Sequence, residues 1–197
     1  MPRTYAQTED EKYSWLFEHG YGNGPVQATL DWALPKLKPW RTVVDLGCGE
    51  ASARLHLNYD RYVGVDIASR TIAALDNACS DGSSFFLHGN LEELDLAEHF
   101  DLAICIDVLQ HIPVNRLLPA VMDRIVAVAD QLLVSVCTVP SRHVGEHGEN
   151  LHMTVRAFKW WLDRFKTRAR IVHTDGSRTL ICQPLKGGTT RLLRRGK

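Results

Sequence analysis

Val43-Val44-Asp45-Leu46-Gly47-Cys48-Gly49-Glu50-Ala51 decides how the rest of the chain is read. A β-branched run ends at Leu46, and two glycines follow with one residue between them. Such a run closes a strand, and glycines let backbone approach a ligand that a side chain would hold off. The segment reads as a strand opening into a helix, the place where parallel α/β sheets bind nucleotide-type cofactors. A Gly-x-Gly alone also suits a tight turn, so the next strand has to decide. Val63-Gly64-Val65-Asp66 ends in an acid 19 residues after Gly47, close to the ~20 of a carboxylate that receives ribose hydroxyls.

Outward from this loop, short apolar runs alternate with segments of helical spacing. Strands are expected at Thr42–Leu46, 62–66, 85–88, 102–106 and 131–136, with helices at Ser69–Ala78 and 114–129. This alternation implies a parallel sheet with right-handed crossovers. Toward the end, a loop over 138–153 leads to a helix at 154–165 and two further strands, 168–173 and 179–183. The connection Thr174-Asp175-Gly176-Ser177 makes those two a hairpin, for which Asp-Gly is a strong local signal. Before the first strand, helices are expected over 8–18 and from Pro25 to residue 34, joined by Gly20-Tyr21-Gly22-Asn23-Gly24.

The type of cofactor follows from local charge. A dinucleotide fingerprint wants a third glycine where Ser52 stands, and Asp45 and Glu50 would repel a pyrophosphate. Carboxylates instead attract a ligand carrying an ammonium and a sulfonium. These motifs resemble those of class I S-adenosylmethionine-dependent methyltransferases, of the small type that modifies metabolites. Asp45-Leu46-Gly47-Cys48-Gly49 is similar to the family's first motif, and Asp66 with Ile67 to its ribose-binding end of the second strand. His88-Gly89-Asn90-Leu91 stands where the family reads adenine; an Asn offers both an acceptor and donors. Phe100-Asp101-Leu102-Ala103-Ile104-Cys105-Ile106-Asp107-Val108-Leu109-Gln110-His111-Ile112 resembles the fourth-strand motif, with Gln110 where Glu is more usual.

The resemblance implies a Rossmann-like α/β fold: a seven-stranded, mostly parallel sheet with a terminal antiparallel hairpin and helices on both faces. It implies S-adenosylmethionine as cofactor, held by Asp45, Gly47, Cys48, Gly49, Asp66, Ile67, Asn90, Leu91, Asp107 and Val108. The chain divides into an N-terminal helical cap over 1–39, a methyltransferase domain over 40–184 and a basic tail over 185–197.

Methyl transfer needs an in-line approach at about 3–3.5 Å, so positioning supplies much of the rate. His111 is the best candidate for a general base, because an imidazole titrates near neutrality; Asp107 stands beside it as the second catalytic candidate. His143-Val144-Gly145-Glu146-His147-Gly148-Glu149-Asn150-Leu151-His152 follows the fifth strand, where the family builds its acceptor site. Gln110, His143, His147, His152 and Tyr21 are therefore the acceptor candidates. The histidine spacing matches no helix-borne zinc motif, and no metal is expected. Tyr13 and Trp15 are further candidates to cap the cofactor, and Trp160-Trp161 should be half core and half surface, since neighbours on a helix point about 100° apart.

With 197 residues and 45% hydrophobic content, the chain makes one domain with a sizeable core. No apolar run approaches the ~20 residues of a membrane span, no signal-peptide core opens the chain, and a cytoplasmic location is expected. Five cysteines without a Cys-x-x-Cys pair fit buried thiols rather than disulfides or zinc. The net charge of zero hides an asymmetry: residues 1–107 carry 17 acids and 8 bases, and residues 108–197 carry 6 acids and 15 bases. The expected reaction moves the methyl group of S-adenosylmethionine to O, N or C of a small-molecule acceptor, which is the expected partner. The basic end leaves RNA or a phosphorylated substrate as an alternative; a non-catalytic cofactor-binding regulatory protein is the other, and a nicotinamide oxidoreductase is more distant.

Overall fold

The computed structural model describes residues 5–22, 26–79 and 81–185, apart from the side chains of residues 5, 6, 118 and 119. The basic segment from 186 onward, and Asn23, Gly24 and Pro25, lie outside the described residues.

Seven strands form one sheet: β1 (Thr42–Leu46), β2 (Arg61–Asp66), β3 (Ser84–His88), β4 (Phe100–Ile106), β5 (Ala129–Ser135), β6 (Ala169–Thr174) and β7 (Thr179–Pro184). Their order is β3-β2-β1-β4-β5-β7-β6, parallel except for the β5–β7 and β6–β7 pairs. Strands buried on both faces read as continuous apolar runs, and β1 and β4 do so. On one face Leu30 of α2 (Val26–Ala33) and Ile72 of α3 (Ser69–Ala78) pack with Tyr62, Leu102 and Ile104. On the other, Met122 and Ile125 of α5 (Met122–Ala127) and Trp161 and Phe165 of α6 (Phe158–Lys166) pack with Val44, Ala103 and Val134. Trp161 is buried, and Trp160 is half-buried under the Arg164 guanidinium at 4.2 Å. No helix among the described residues is long and apolar enough to cross a membrane.

Two expectations are corrected. The glycine loop opens into a five-residue 3₁₀ turn, Ser52–His56, instead of an α-helix. Ala51, Ala53 and Leu57 are buried while Leu55 is exposed, so the apolar residues repeat at two and four rather than along a helical stripe. The helix expected over 114–129 is interrupted: α4 (Val114–Arg116) passes into a π-turn at Leu117–Val121 before α5, and β5 has begun by Ala129. Pro119 has no N–H to give the helical ladder, and a wider turn absorbs the break.

The cap helix α1 (Tyr5–Glu18) is fastened to the start of α3. The Ser69 amide donates to Asp10 Oδ1 at 2.8 Å, the Arg70 amide to Ser14 Oγ at 3.4 Å, and the Arg70 guanidinium pairs with Glu18 at 2.9 Å. A side-chain acceptor at a helix start satisfies an orphan amide, so α1 is held against α3.

Candidate active site

The strand order reverses between β1 and β4, and ligands of open α/β sheets bind at that point, beyond the carboxyl ends of the strands. A cavity of about 590 Å³ lies there. Gly47, Asp66, Ile67, Asn90, Leu91, Asp107 and Val108 line its sheet side, and Tyr13, Phe17 and Tyr21 its cap side. Trp15 is not among the lining residues; it stacks on His19 at 4.1 Å.

Gly47 sits at φ +81°, and a Cβ there would lie 2.4 Å from Val108 Cγ2. The Gly47 and Cys48 amides both donate to the Val65 carbonyl, at 2.8 and 3.0 Å, locking the loop to β2. Asp45, Cys48 and Gly49 do not border the cavity. They act from behind it: Cys48 is buried against Gly64, and the Gly49 amide donates to Asp66 Oδ2 at 2.8 Å. The Ala68 amide donates to Oδ1 at 2.9 Å. Burial pushes the Asp66 carboxyl upward, and the amides of Ala68, Gly49 and Ile67 oppose that shift. Each oxygen keeps a lone pair for one more donor, which suits the two hydroxyls of a ribose. Asn90 Oδ1 accepts from the Glu92 amide at 3.0 Å, and its NH₂ has no partner among the described residues.

Asp45 is buried and accepts the Tyr62 hydroxyl at 2.6 Å. Burial raises its pKa to about 7, the Tyr62 bond works against the rise, and the Asp66 charge adds to it. Between the ordinary value of 3.8 and about 7 the folded state holds a proton that the unfolded chain has released. Stability from this group is therefore present at acid pH and is lost as pH rises through about 7. Asp45→Asn should gain thermal midpoint relative to the parent protein at pH 8 and much less at pH 5. An advantage that shrinks with rising pH would contradict this.

After β4 the chain turns sharply at Asp107, whose φ is +57°, a conformation unusual for a residue with a side chain. Its amide donates to the Ser135 carbonyl at 2.9 Å. Arg178 Nη2 donates to both carboxylate oxygens, at 2.6 and 2.8 Å, and Nε to Ser135 Oγ at 3.3 Å. Arg178 also lines the cavity, and the sequence reading had not singled it out. The signal for it lay in the hairpin: antiparallel pairing of Ser135 with Thr179 carries the preceding residue to the cavity end of β5.

His111 is brought into the same cavity, 9% exposed, on a 3₁₀ turn (Leu109–His111). Its Nδ1 lies 3.0 Å from the Leu151 carbonyl. Only a protonated Nδ1 can make that bond, so Nε2 presents a lone pair. The Tyr21 hydroxyl lies 3.5 Å from Nε2. Burial, more than the neighbouring His152 and Lys12, pushes the imidazole down to about 3, while burial and the Asp107 charge push the Tyr21 phenol up to about 12. Both are neutral near pH 7. Gln110 is almost fully buried; its Oε1 accepts from the Cys137 amide at 3.3 Å and its carbonyl from the Thr154 amide at 2.9 Å. It borders the cavity, yet its bonds tie the β4 turn to the loop after β5.

That loop folds on itself through a bridge between Val144 and Asn150. His143 and His152 stand at its two feet and line the cavity, with ring contacts to Tyr21 at 5.4 Å and to His111 at 4.8 Å. His147 is at the exposed tip and does not line the cavity. Among the described residues no three His, Cys, Asp or Glu side chains form a group that could hold a metal ion.

Residues 44–129 match a family model described as a methyltransferase domain. No curated protein matches the chain by sequence. Among solved structures, a DhpI-SAM-HEP complex is 15% identical, with 93% of this chain and 100% of that chain covered and a TM-score of 0.69. Burkholderia thailandensis 1,6-didemethyltoxoflavin-N1-methyltransferase, solved with 1,6-didemethyltoxoflavin and S-adenosylhomocysteine, is 16% identical, with 93% and 92% covered and a TM-score of 0.64. The [4+2]-cyclase SpnF is 12% identical, with 88% and 76% covered and a TM-score of 0.67. The last shows that the shared fold does not fix the reaction, which has to be argued from the site.

Proposed function

We propose that the protein, whose residues 44–129 match a methyltransferase-domain family model, transfers the methyl group of S-adenosylmethionine to a small-molecule acceptor. The observation that carries this reading is one cavity in which the cofactor-type groups Gly47, Asp66 and Asn90 share space with His111. At about 590 Å³ beside the cap helix α1, it has the size of a small-molecule site. The reading keeps the cap over 1–39 and the domain over 40–184.

Asp66 would take the ribose hydroxyls and the Asn90 NH₂ a ring nitrogen of adenine, with Gly47 leaving room for the backbone to pass close. When bound, S-adenosylmethionine supplies a methyl carbon that the acceptor's lone pair takes while the carbon–sulfur electron pair stays with sulfur. His111 Nε2 accepts a hydrogen bond from the acceptor's O–H or N–H and orients its lone pair, and the proton is released to water once the methyl group has transferred. An imidazole held near 3 is a poor place to store a proton, so catalysis rests chiefly on orientation. Asp107 is held against Arg178 and shapes the turn that bears Val108.

His111→Gln should lower kcat by about 10²-fold, the low end for a group acting on a transferred proton, while S-adenosylhomocysteine affinity stays within about twofold. The parent protein should show no activity limb near pH 6.5 that belongs to this histidine. Such a limb, abolished by the substitution, would contradict the placement. The reading as a whole is tested by a labelled-methyl assay on cell extract divided into small-molecule and nucleic-acid fractions. Label is expected in small molecules; label confined to RNA would overturn the acceptor class.

A further inference from the structure

The charges around the cavity are unevenly compensated. Each carboxylate that lines it is already engaged: Glu9 with Lys12 at 2.5 Å, Glu92 with Arg116 at 3.0 Å, Asp107 with Arg178, and Asp66 with two backbone amides. Only Asp66 among them takes no side-chain cation in these contacts, and it stands on the cofactor side. Arg142 also lines the cavity, beside His143, and has no ion-pair or hydrogen-bond partner among the described residues. Arg178, which also lines the cavity, spends Nε and Nη2 on Ser135 and Asp107, and its Nη1 has no partner among the described residues. A guanidinium edge with free donors is suited to a carboxylate or a phosphoryl group.

We infer that the acceptor is a small anion, with a carboxylate or phosphoryl group facing Arg142 and the free edge of Arg178 and the O–H or N–H to be methylated at His111. This rests on the methyltransferase reading above. Three further observations agree with it. Among the described lining residues, every carboxylate on the acceptor side is already paired with a cation, which disfavours a cationic acceptor. The bound cofactor adds a sulfonium to the same space, which an anion offsets and a cation aggravates. The rings of Tyr13, Tyr21 and His152 stand edge-on about His111, at 5.7, 6.4 and 4.8 Å between centroids, walling the space beside its accepting nitrogen. Of the excess of bases after residue 107, Arg142 and Arg178 are the two that line the cavity.

The test divides a small-molecule extract on an anion exchanger before the reaction and offers each fraction to the enzyme with labelled S-adenosylmethionine. Label should be taken up from the retained fraction and not from the flow-through. Arg142→Ala should cut uptake at limiting extract at least tenfold, recover as the fraction is concentrated, and leave S-adenosylhomocysteine affinity unchanged; Arg142→Lys should keep most of the uptake. Ligand-observed nuclear magnetic resonance with the S-adenosylhomocysteine-saturated protein gives a readout apart from turnover. Signals of the retained fraction should broaden with the parent protein and sharpen again with Arg142→Ala. Phosphatase treatment of that fraction separates the sources: uptake is lost for a phosphate ester and kept for a carboxylate. Uptake from the flow-through, or an Arg142→Ala protein indistinguishable from the parent, overturns the inference and leaves the methyltransferase reading standing. A parent protein that does not bind S-adenosylhomocysteine takes down both.

Discussion

Asp66→Ala is expected to weaken S-adenosylhomocysteine binding by about 10²-fold or more, while the protein stays folded by circular dichroism. The carboxylate has two duties. Its oxygens hold the Gly49 and Ala68 amides at 2.8 and 2.9 Å, which fixes the glycine loop and the start of α3. Their remaining lone pairs face the cavity and would meet the ribose hydroxyls. A hydrogen bond to a charged group contributes about 1.5–3 kcal/mol, so losing two accounts for the factor expected. Asp66→Asn separates the duties: it keeps one acceptor and should fall between the parent and the alanine variant. His111→Ala, on the acceptor side, should disturb cofactor binding far less. Calorimetry that found the reverse order would refute the ribose-binding role.

Gly47→Ala should be comparably damaging for a different reason. At φ +81° a side chain strains against its own backbone, at a cost of roughly 1–2 kcal/mol. The new Cβ would also lie 2.4 and 2.7 Å from the two Val108 methyls, so the β4 turn must move. Since 1 kcal/mol shifts the midpoint of a chain this size by about 2–4 °C, a loss of several degrees is expected, together with a fall in cofactor affinity of at least tenfold. Adding Val108→Ala makes room for the methyl group and should return part of the thermal loss, while the backbone strain persists. A single Gly47→Ala variant with unchanged midpoint and affinity would mean that the contact between the β1 and β4 turns does not shape the site.

Particular elements show what a linear reading can and cannot reach. β1 and α3 were legible to the residue, because an apolar run ending in glycine and a helical stripe ending at Cys79 are local signals. The failed helix after Gly49 was an inference from the general architecture, made against the local spacing of Ala51, Ala53 and Leu57. Of the acceptor candidates, His143 and His152 were brought to the cavity and His147 was not; which positions became the feet of the loop was set by the Val144–Asn150 bridge. The Arg178–Asp107 pair joins positions 71 apart in sequence. Its partner could be found only through strand register, since neither residue carries a motif that names the other. The perturbed titration of His111 was likewise hidden, because it comes from burial by α1 and by the loop near Leu151.

The central claim is that this cavity binds S-adenosylmethionine and its demethylated product rather than a dinucleotide. Titration calorimetry of the parent protein with S-adenosylhomocysteine, and separately with NAD, tests it most directly. Saturable one-to-one binding of S-adenosylhomocysteine, lost in Asp66→Ala, with no heat from NAD, is the predicted result. Tight NAD binding with none of S-adenosylhomocysteine would contradict the account at its foundation.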